Sequence, residues 1–273
     1  MPDNNETSPS PAALQDPDFY AAAWEEYTVN HTGVFTFGLA GRINFAPLQE
    51  FDSDFETLAS TATSPEQLDY LPASYAGKPS LLAGYRKQLE VLQSQFLSPH
   101  AGVIEVATGG SGAVSLALQK PLSRGTVVIK STDPHPSNAP LVDFNSGSNP
   151  MDMKISISAI RKVREFMAAD SLASLNVTEV VPGTQYETDE ELEGLLRDSL
   201  YGPSFAHPAG TAAMLPEELG GVVGTDLKVY GTEGLWVVDA SIIPILPAAH
   251  TQATVYAVAE HAADLIKQDA ARA

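Results

Sequence analysis

Apolar residues recur at three- and four-residue intervals in several stretches, which is the period of one face of an α-helix. The spacing of Phe19, Ala22 and Tyr27 predicts a short helix from Asp18, which the Thr32-Gly33 pair would end. The same spacing predicts further helices over 81–97, 155–167, 189–200 and from about residue 253 onward. The last of these carries an apolar face and a charged face, so we expect it to pack on another layer.

Other stretches show the signals of strands. Apolar residues alternate with smaller or polar ones over 114–118, and β-branched residues dominate 126–129. The apolar run 235–238 predicts a buried strand. Helices would therefore flank a mixed or antiparallel sheet, which places the chain in the α+β class.

The composition indicates a folded chain that begins with a mobile N-terminal segment. Of the 273 residues, 44% are hydrophobic and 18% charged, so a sizeable core can be buried. Residues 1–17 are rich in Pro, Ser, Asn and acidic side chains, and they cannot offset the entropy lost on ordering. We expect them to form a mobile tail.

Charge and cysteine content exclude several classes of function. The 34 acidic and 15 basic residues give a net charge of -19, which disfavours binding to nucleic acid or to an anionic membrane surface. With no cysteine, disulfides and thiolate metal sites are excluded, and no other metal-ligand pattern is apparent. The sequence lacks both a membrane-spanning apolar run and a signal-peptide pattern, so we expect a soluble chain of undetermined cellular location.

Two histidines stand out because each lies in a loop of small residues. His207 begins the stretch HPAGTAAM, and His250 lies in PAAHTQ about forty residues later. Either histidine alone is more simply a hydrogen-bonded structural residue. If the two loops converge, the pair has what proton abstraction from an alcohol requires, a base and a second group that orients the substrate oxygen.

Residues next to these loops are candidates for binding a cofactor. Thr251 and Gln252 stand where the final helix begins, and the unpaired amides of a helix N-terminus stabilise an anion. A reduced flavin edge and a phosphate both suit such a position. Asp239 follows the run 235–238 and precedes Ala240, which suits either ligand binding at a sheet edge or capping of a turn.

The C-terminal stretches HPAGTAAM, GVVGTDLKVYGTEGLWVVDASIIP and AAHTQATVYAVAEHAADLIK closely resemble the signature of the glucose-methanol-choline (GMC) family of flavoenzymes, aryl-alcohol-oxidase-like members above all. KPLSRGTVVIKSTDP and APLVDFNSGSNPMDM are similar to its substrate-domain segments. The resemblance implies a substrate-binding domain over 18–200 and, over 201–273, the C-terminal part of an FAD-binding α/β domain. It also implies FAD as cofactor and a small organic alcohol as substrate.

The resemblance assigns roles to the candidate residues. His207 matches the family's base and His250 its partner, so His207 would take the hydroxyl proton while hydride passes to the flavin, and His250 would hold the same oxygen. Asp239 and Ala240 match residues that line the nucleotide part of the flavin. Thr251 and Gln252 match residues beside its ring.

The family's GxGxxG turn, which holds the FAD pyrophosphate, is missing from this sequence. The cluster Gly109-Gly110-Ser111-Gly112 does not have that spacing and is no substitute. We therefore expect a truncated or split enzyme; in the split form, a separate chain would supply the GxGxxG half. Two other hypotheses stay open: a lyase or cyclase that uses the histidine pair without redox chemistry, and an inactive fragment.

Overall fold

A three-stranded antiparallel sheet lies against the loop that carries His250. The computed structural model describes residues 13, 15–36, 42–108, 114–175 and 178–271. The strands are β1 (Arg42–Ala46), β2 (Ile104–Thr108) and β3 (Val114–Leu118), with β2 in the middle. Their register places Glu105 opposite Phe45 on one side and opposite Ala117 on the other. The sheet is therefore antiparallel, one of the two predicted arrangements, and β3 has the predicted bounds.

A second, two-stranded sheet pairs β4 (Thr126–Val128) with β5 (Leu141–Asp143). The predicted strand over 126–129 thus forms and ends one residue early. Its apolar side chains are largely exposed, Val127 and Val142 among them. An exposed β-branched surface of this kind is typical of a sheet that another layer covers or that borders a ligand cavity.

Helices surround the sheets, with bounds α1 (Pro17–Asn30), α2 (Phe55–Thr61), α3 (Pro79–Phe96), α4 (Pro150–Met167), α5 (Asp189–Leu195) and α6 (Gln252–Ala270). α4 begins five residues before its predicted start because Asn149 caps it by accepting the Met151 amide and Pro150 suits its first position. α5 is shorter than predicted. A wider π-type turn over Leu196–Leu200 replaces its last part.

The main core lies between α3, α4 and the three-stranded sheet. Leu92 and Phe96 of α3 are fully buried against Ile104 of β2 and Ile155 of α4. Each such side chain contributes on the order of 1.5 to 3 kcal/mol. This packing fixes the position of β2 and of its residue Glu105, whose side chain contacts His250.

The prediction of a buried strand over 235–238 is wrong. Leu235 is 51% exposed, and the segment makes one isolated bridge, between Trp236 and Lys228. Two backbone hydrogen bonds, from the Val229 amide to the Leu235 carbonyl and from the Val237 amide to the Leu227 carbonyl, flank this bridge, and the pairing does not extend into a regular ladder. Val237 and Val258 pack, partly buried, against a small cluster that includes Val223.

Most of the predicted tail, 1–17, and the whole cluster 109–112 fall outside the described residues. The division into units at 18–200 and 201–273 stays a prediction. Within the described part of the chain, no helix is long and apolar enough to cross a membrane.

Candidate active site

The two histidine loops converge. The ring centroids of His207 and His250 lie 5.5 Å apart, and the ring planes are inclined by 40°. At this distance both imidazoles can reach one small polar group placed between them. The structure therefore brings together the two residues predicted as a catalytic pair.

Backbone contacts hold the His207 loop in place. The His207 amide donates to the Ser204 hydroxyl at 3.1 Å, and Ala206 adopts a left-handed conformation with φ 62°. For a residue with a Cβ this conformation is strained, and such strain concentrates at functional sites. Farther along, the Ala212 amide donates to the Ser241 carbonyl at 2.9 Å and ties the loop to the segment after Asp239.

His250 contacts a buried carboxylate that the sequence analysis missed. Its Nε2 lies 2.8 Å from Oε1 of Glu105, which is 1% exposed. The second oxygen, Oε2, accepts a hydrogen bond from the Gln119 side chain at 3.0 Å. A carboxylate only accepts, so His250 donates through Nε2–H and its Nδ1 is left for other partners. A buried charge is stable only when it is paired and hydrogen-bonded, as Glu105 is here.

The loop that carries His250 lies tightly against the sheet. A Cβ added to Gly102 would stand 2.8 Å from Cβ of Ala248 and 2.9 Å from Cβ of Phe45, so only glycine permits this approach. The Phe45 ring meets the His250 ring edge to face at 6.2 Å. The Phe45 ring thus limits the orientations of the His250 ring on one side, while the His250 side chain remains 45% exposed.

Lys120 is a second buried ionisable residue near this loop. It is 4% exposed, and its ammonium donates to the Leu246 carbonyl, four residues before His250. Burial lowers the pKa of Lys120 to about 8 because the interior disfavours the charged form. The contact joins the end of β3 to the His250 loop.

Thr251 follows His250 and contacts the other histidine. Its Oγ1 lies 2.9 Å from Nδ1 of His207, so Nε2 is the His207 nitrogen left for a substrate. α6 begins here as predicted, with Thr251 at the N-cap and Gln252 at the first helical position. The Thr251 side chain does not cap the helix, and in the part of the chain that the structure describes no side chain accepts a hydrogen bond from the first amides of α6.

Asp239 caps the short 3₁₀ turn Ala240–Ile242 by accepting the Ser241 amide at 2.8 Å, and it also accepts the Ser241 hydroxyl. The structure thus shows the turn-capping role that the sequence left open. Asp239 and Ala240 also line a cavity, so their predicted contact with a cofactor stays a prediction.

An open cavity of about 1360 Å³ adjoins the site. Its lining includes His207 together with apolar side chains of the two-stranded sheet, Val127 and Val142. The volume exceeds what one small ligand needs. Among the described residues, no group of His, Asp and Glu side chains is arranged to hold a metal ion.

The sequence profile described as GMC oxidoreductase matches residues 121–259. The chain is 38% identical over 213 residues to the dehydrogenase xptC of Emericella nidulans, which covers 78% of this chain and 33% of that protein. It is 32% identical over 259 residues to the glucose methanol choline oxidoreductase atC of Aspergillus terreus, which covers 90% of this chain and 37% of that protein. The chain thus spans about a third of the curated relatives it matches.

Solved structures agree with this match. An FAD-dependent oxidoreductase from Chaetomium thermophilum superposes with a TM-score of 0.87 at 34% identity, over 97% of this chain and 46% of that one. A fungal aryl-alcohol oxidase superposes with a TM-score of 0.83 at 37% identity, over 94% of this chain and 43% of that one. With its helices, its antiparallel sheet and the profile match over half its length, this chain belongs to the GMC oxidoreductase family, of which it represents the C-terminal part.

Proposed function

We propose that this chain is the catalytic C-terminal part of an FAD-dependent enzyme that oxidises the CH–OH group of a small organic alcohol. The observation that carries the proposal is the convergence of His207 and His250 beside a large cavity, with a buried carboxylate behind one of them. Alcohol oxidation releases one proton and one hydride. One imidazole can accept the proton, and the other can form a hydrogen bond with the oxygen that loses it.

The residues beside the pair fit FAD. The first amides of α6 are uncapped, and Gln252 and Ala253 at that end of the helix are exposed. A helix N-terminus of this kind favours an anionic group such as the pyrimidine edge of a reduced flavin. Gln252, Asp239, Ala240 and the backbone of Thr251 are the residues that would hold the cofactor. FAD, when bound, supplies the hydride acceptor.

His207 is the proposed base. Its Nδ1 is engaged by Thr251, so Nε2 is the atom that receives the hydroxyl proton as the carbinol C–H bond breaks. A neutral imidazole accepts a proton at ordinary pH, and a positioned general base contributes about 10²- to 10⁴-fold in rate.

His250 is proposed to hold the substrate oxygen. Because its Nε2–H donates to Glu105, only Nδ1 remains for the substrate, and Nδ1 donates a hydrogen bond only when the ring carries a second proton. The buried Glu105 carboxylate compensates the positive charge of that form. The protonated ring then stabilises the negative charge that develops on the alcohol oxygen.

A grafted enzyme tests the proposal. Replacing the matching C-terminal part of the Chaetomium thermophilum oxidoreductase by this chain would provide an FAD-binding half, and oxidation of a panel of primary alcohols would be measured as carbonyl product. In an active graft we expect His207→Ala to lower kcat by about 10²- to 10⁴-fold. The matched control is His100→Ala, at an exposed histidine in a turn. Equal losses in both variants would contradict the role of His207.

A separate measurement addresses the cofactor. We propose that the GxGxxG half, encoded on the same longer chain or on a separate one, supplies most of the FAD contacts. The purified chain should therefore lack the visible absorbance of oxidised flavin and release no flavin fluorescence on denaturation. Stoichiometric FAD in the isolated chain would contradict the proposal that the GxGxxG half supplies most of the FAD contacts. Isomerisation of a substrate by flavin-free chain would favour the lyase or cyclase hypothesis instead.

A further inference from the structure

The side chain of Thr251 makes a contact that its sequence position does not predict. Threonine at a helix N-cap usually accepts a hydrogen bond from an amide of the first turn. Here Thr251 has helical backbone angles, φ -72° and ψ -10°, and it makes no such bond. Its hydroxyl instead reaches His207, 44 positions earlier in the chain, at 2.9 Å. Thr251 is 8% exposed, so water competes little for this contact.

The contact is with Nδ1 of His207, and the presence or absence of a proton on Nδ1 defines which neutral tautomer of the ring is present. A neutral imidazole carries one proton, on Nδ1 or on Nε2. Only the form with the proton on Nδ1 leaves a lone pair on Nε2. A threonine hydroxyl can accept from Nδ1–H or donate to a bare Nδ1, so the partner by itself is compatible with both forms.

We propose that Thr251 is a positioning residue: its oxygen accepts the Nδ1–H of His207 and holds the ring in the tautomer whose Nε2 is unprotonated. The inference deepens the proposed function and rests on it, since a base that acts through Nε2 needs this lone pair. Thr251 is then more than a residue beside the flavin ring. Thr251 contacts one ring nitrogen of His207, as Glu105 contacts one ring nitrogen of His250. Each catalytic imidazole therefore has one nitrogen with a hydrogen-bond partner and one left for the substrate.

The residues that contact the two imidazoles, Glu105 and Thr251, differ in charge. The two rings are therefore suited to different steps of the reaction. Glu105 is a buried carboxylate and favours a positively charged partner. Thr251 is neutral, so it does not compensate a positive charge on the resting His207 ring. The Thr251 contact therefore suits a neutral ring that accepts a proton, and the Glu105 contact suits a charged ring that donates a hydrogen bond.

Nitrogen NMR of the full chain labelled with ¹⁵N-histidine tests the inference without any turnover. The His207 signals would be assigned by their loss in His207→Gln, at a pH where the ring is neutral. We expect Nδ1 to be protonated and Nε2 bare in the wild type and in Thr251→Ser, which keeps the hydroxyl. Thr251→Val should shift His207 toward the Nε2–H form. Thr232→Val, at an exposed threonine, is the control that should leave the signals unchanged.

A wild-type His207 with its proton on Nε2 would overturn the inference, and so would an unchanged tautomer in a folded Thr251→Val chain. In an active graft, the valine variant should lose at least about tenfold in kcat and the serine variant should recover it, because a wrong tautomer disables a histidine base. A chain with the expected tautomer whose graft oxidises no alcohol would contradict the proposed function and leave the tautomer assignment standing.

Discussion

Glu105 and His250 lie 145 positions apart in the chain and are joined by a 2.8 Å contact between Oε1 and Nε2. The contact links the middle strand of the sheet to the loop before α6. Since the carboxylate is buried and the imidazole is half exposed, the charge behind His250 is shielded from water while the ring itself remains accessible.

Glu105→Gln should weaken catalysis with little change in shape. The amide cannot compensate a charge on His250, so we expect kcat of an active graft to fall by at least about tenfold. Glu90→Gln, at an exposed residue paired with Lys87 on α3, is the matched control and should leave kcat unchanged. Unaltered turnover in a folded Glu105→Gln graft would remove Glu105 from the mechanism.

Lys120 should make stability depend on pH. Its pKa is about 8 in the folded chain and near 10.5 when unfolded, so burial penalises the charged form and the penalty disappears as pH rises through this window. We expect the free energy of unfolding to increase by about 2 kcal/mol between pH 7 and about pH 9.5. Denaturant titrations at both pH values should show that Lys120→Met lacks this increase. Equal pH slopes for both chains would contradict the low pKa.

Removal of the Asp152 carboxylate should destabilise the chain strongly. It is fully buried, and its oxygens accept the amides of Leu122 and Ser123 at 2.7 and 2.9 Å. Burial raises the pKa of Asp152, while these hydrogen bonds act in the opposite direction. Asp152→Ala leaves both amides unpaired and should cost about 2 to 6 kcal/mol of unfolding free energy. Asp198→Asn, at an exposed position, should change it by less than about 0.5 kcal/mol.

Two helical glycines should respond to alanine in opposite directions. A Cβ at Gly84 of α3 would lie 2.0 Å from the Leu219 carbonyl oxygen, which backbone packing holds in place. Gly84→Ala should therefore destabilise the chain by about 1 to 3 kcal/mol. A Cβ at Gly194 of α5 meets nothing within 4 Å, so Gly194→Ala should stabilise it by up to about 1 kcal/mol. Thermal unfolding of both variants measures the contrast.

Helices and strands with strong local signals were predictable from sequence. The apolar period placed α3 within two residues at each end, and the alternation over 114–118 marked β3. The strands β1 and β2 were missed because RINFA alternates over only four residues and the alternation of IEVAT breaks after its third residue. Their pairing depends on each other and on β3, which a local pattern does not encode.

The sequence by itself determined the family, the helical framework and the identity of His207 and His250, because long motifs and apolar periods are local properties of the chain. Only the tertiary structure decided that the histidine rings lie 5.5 Å apart, that Glu105 stands behind one and that Thr251 contacts the other. It also decided that 235–238 makes a single bridge rather than a buried strand. The physical reason is that burial and hydrogen bonding between residues over forty positions apart depend on how the layers pack together.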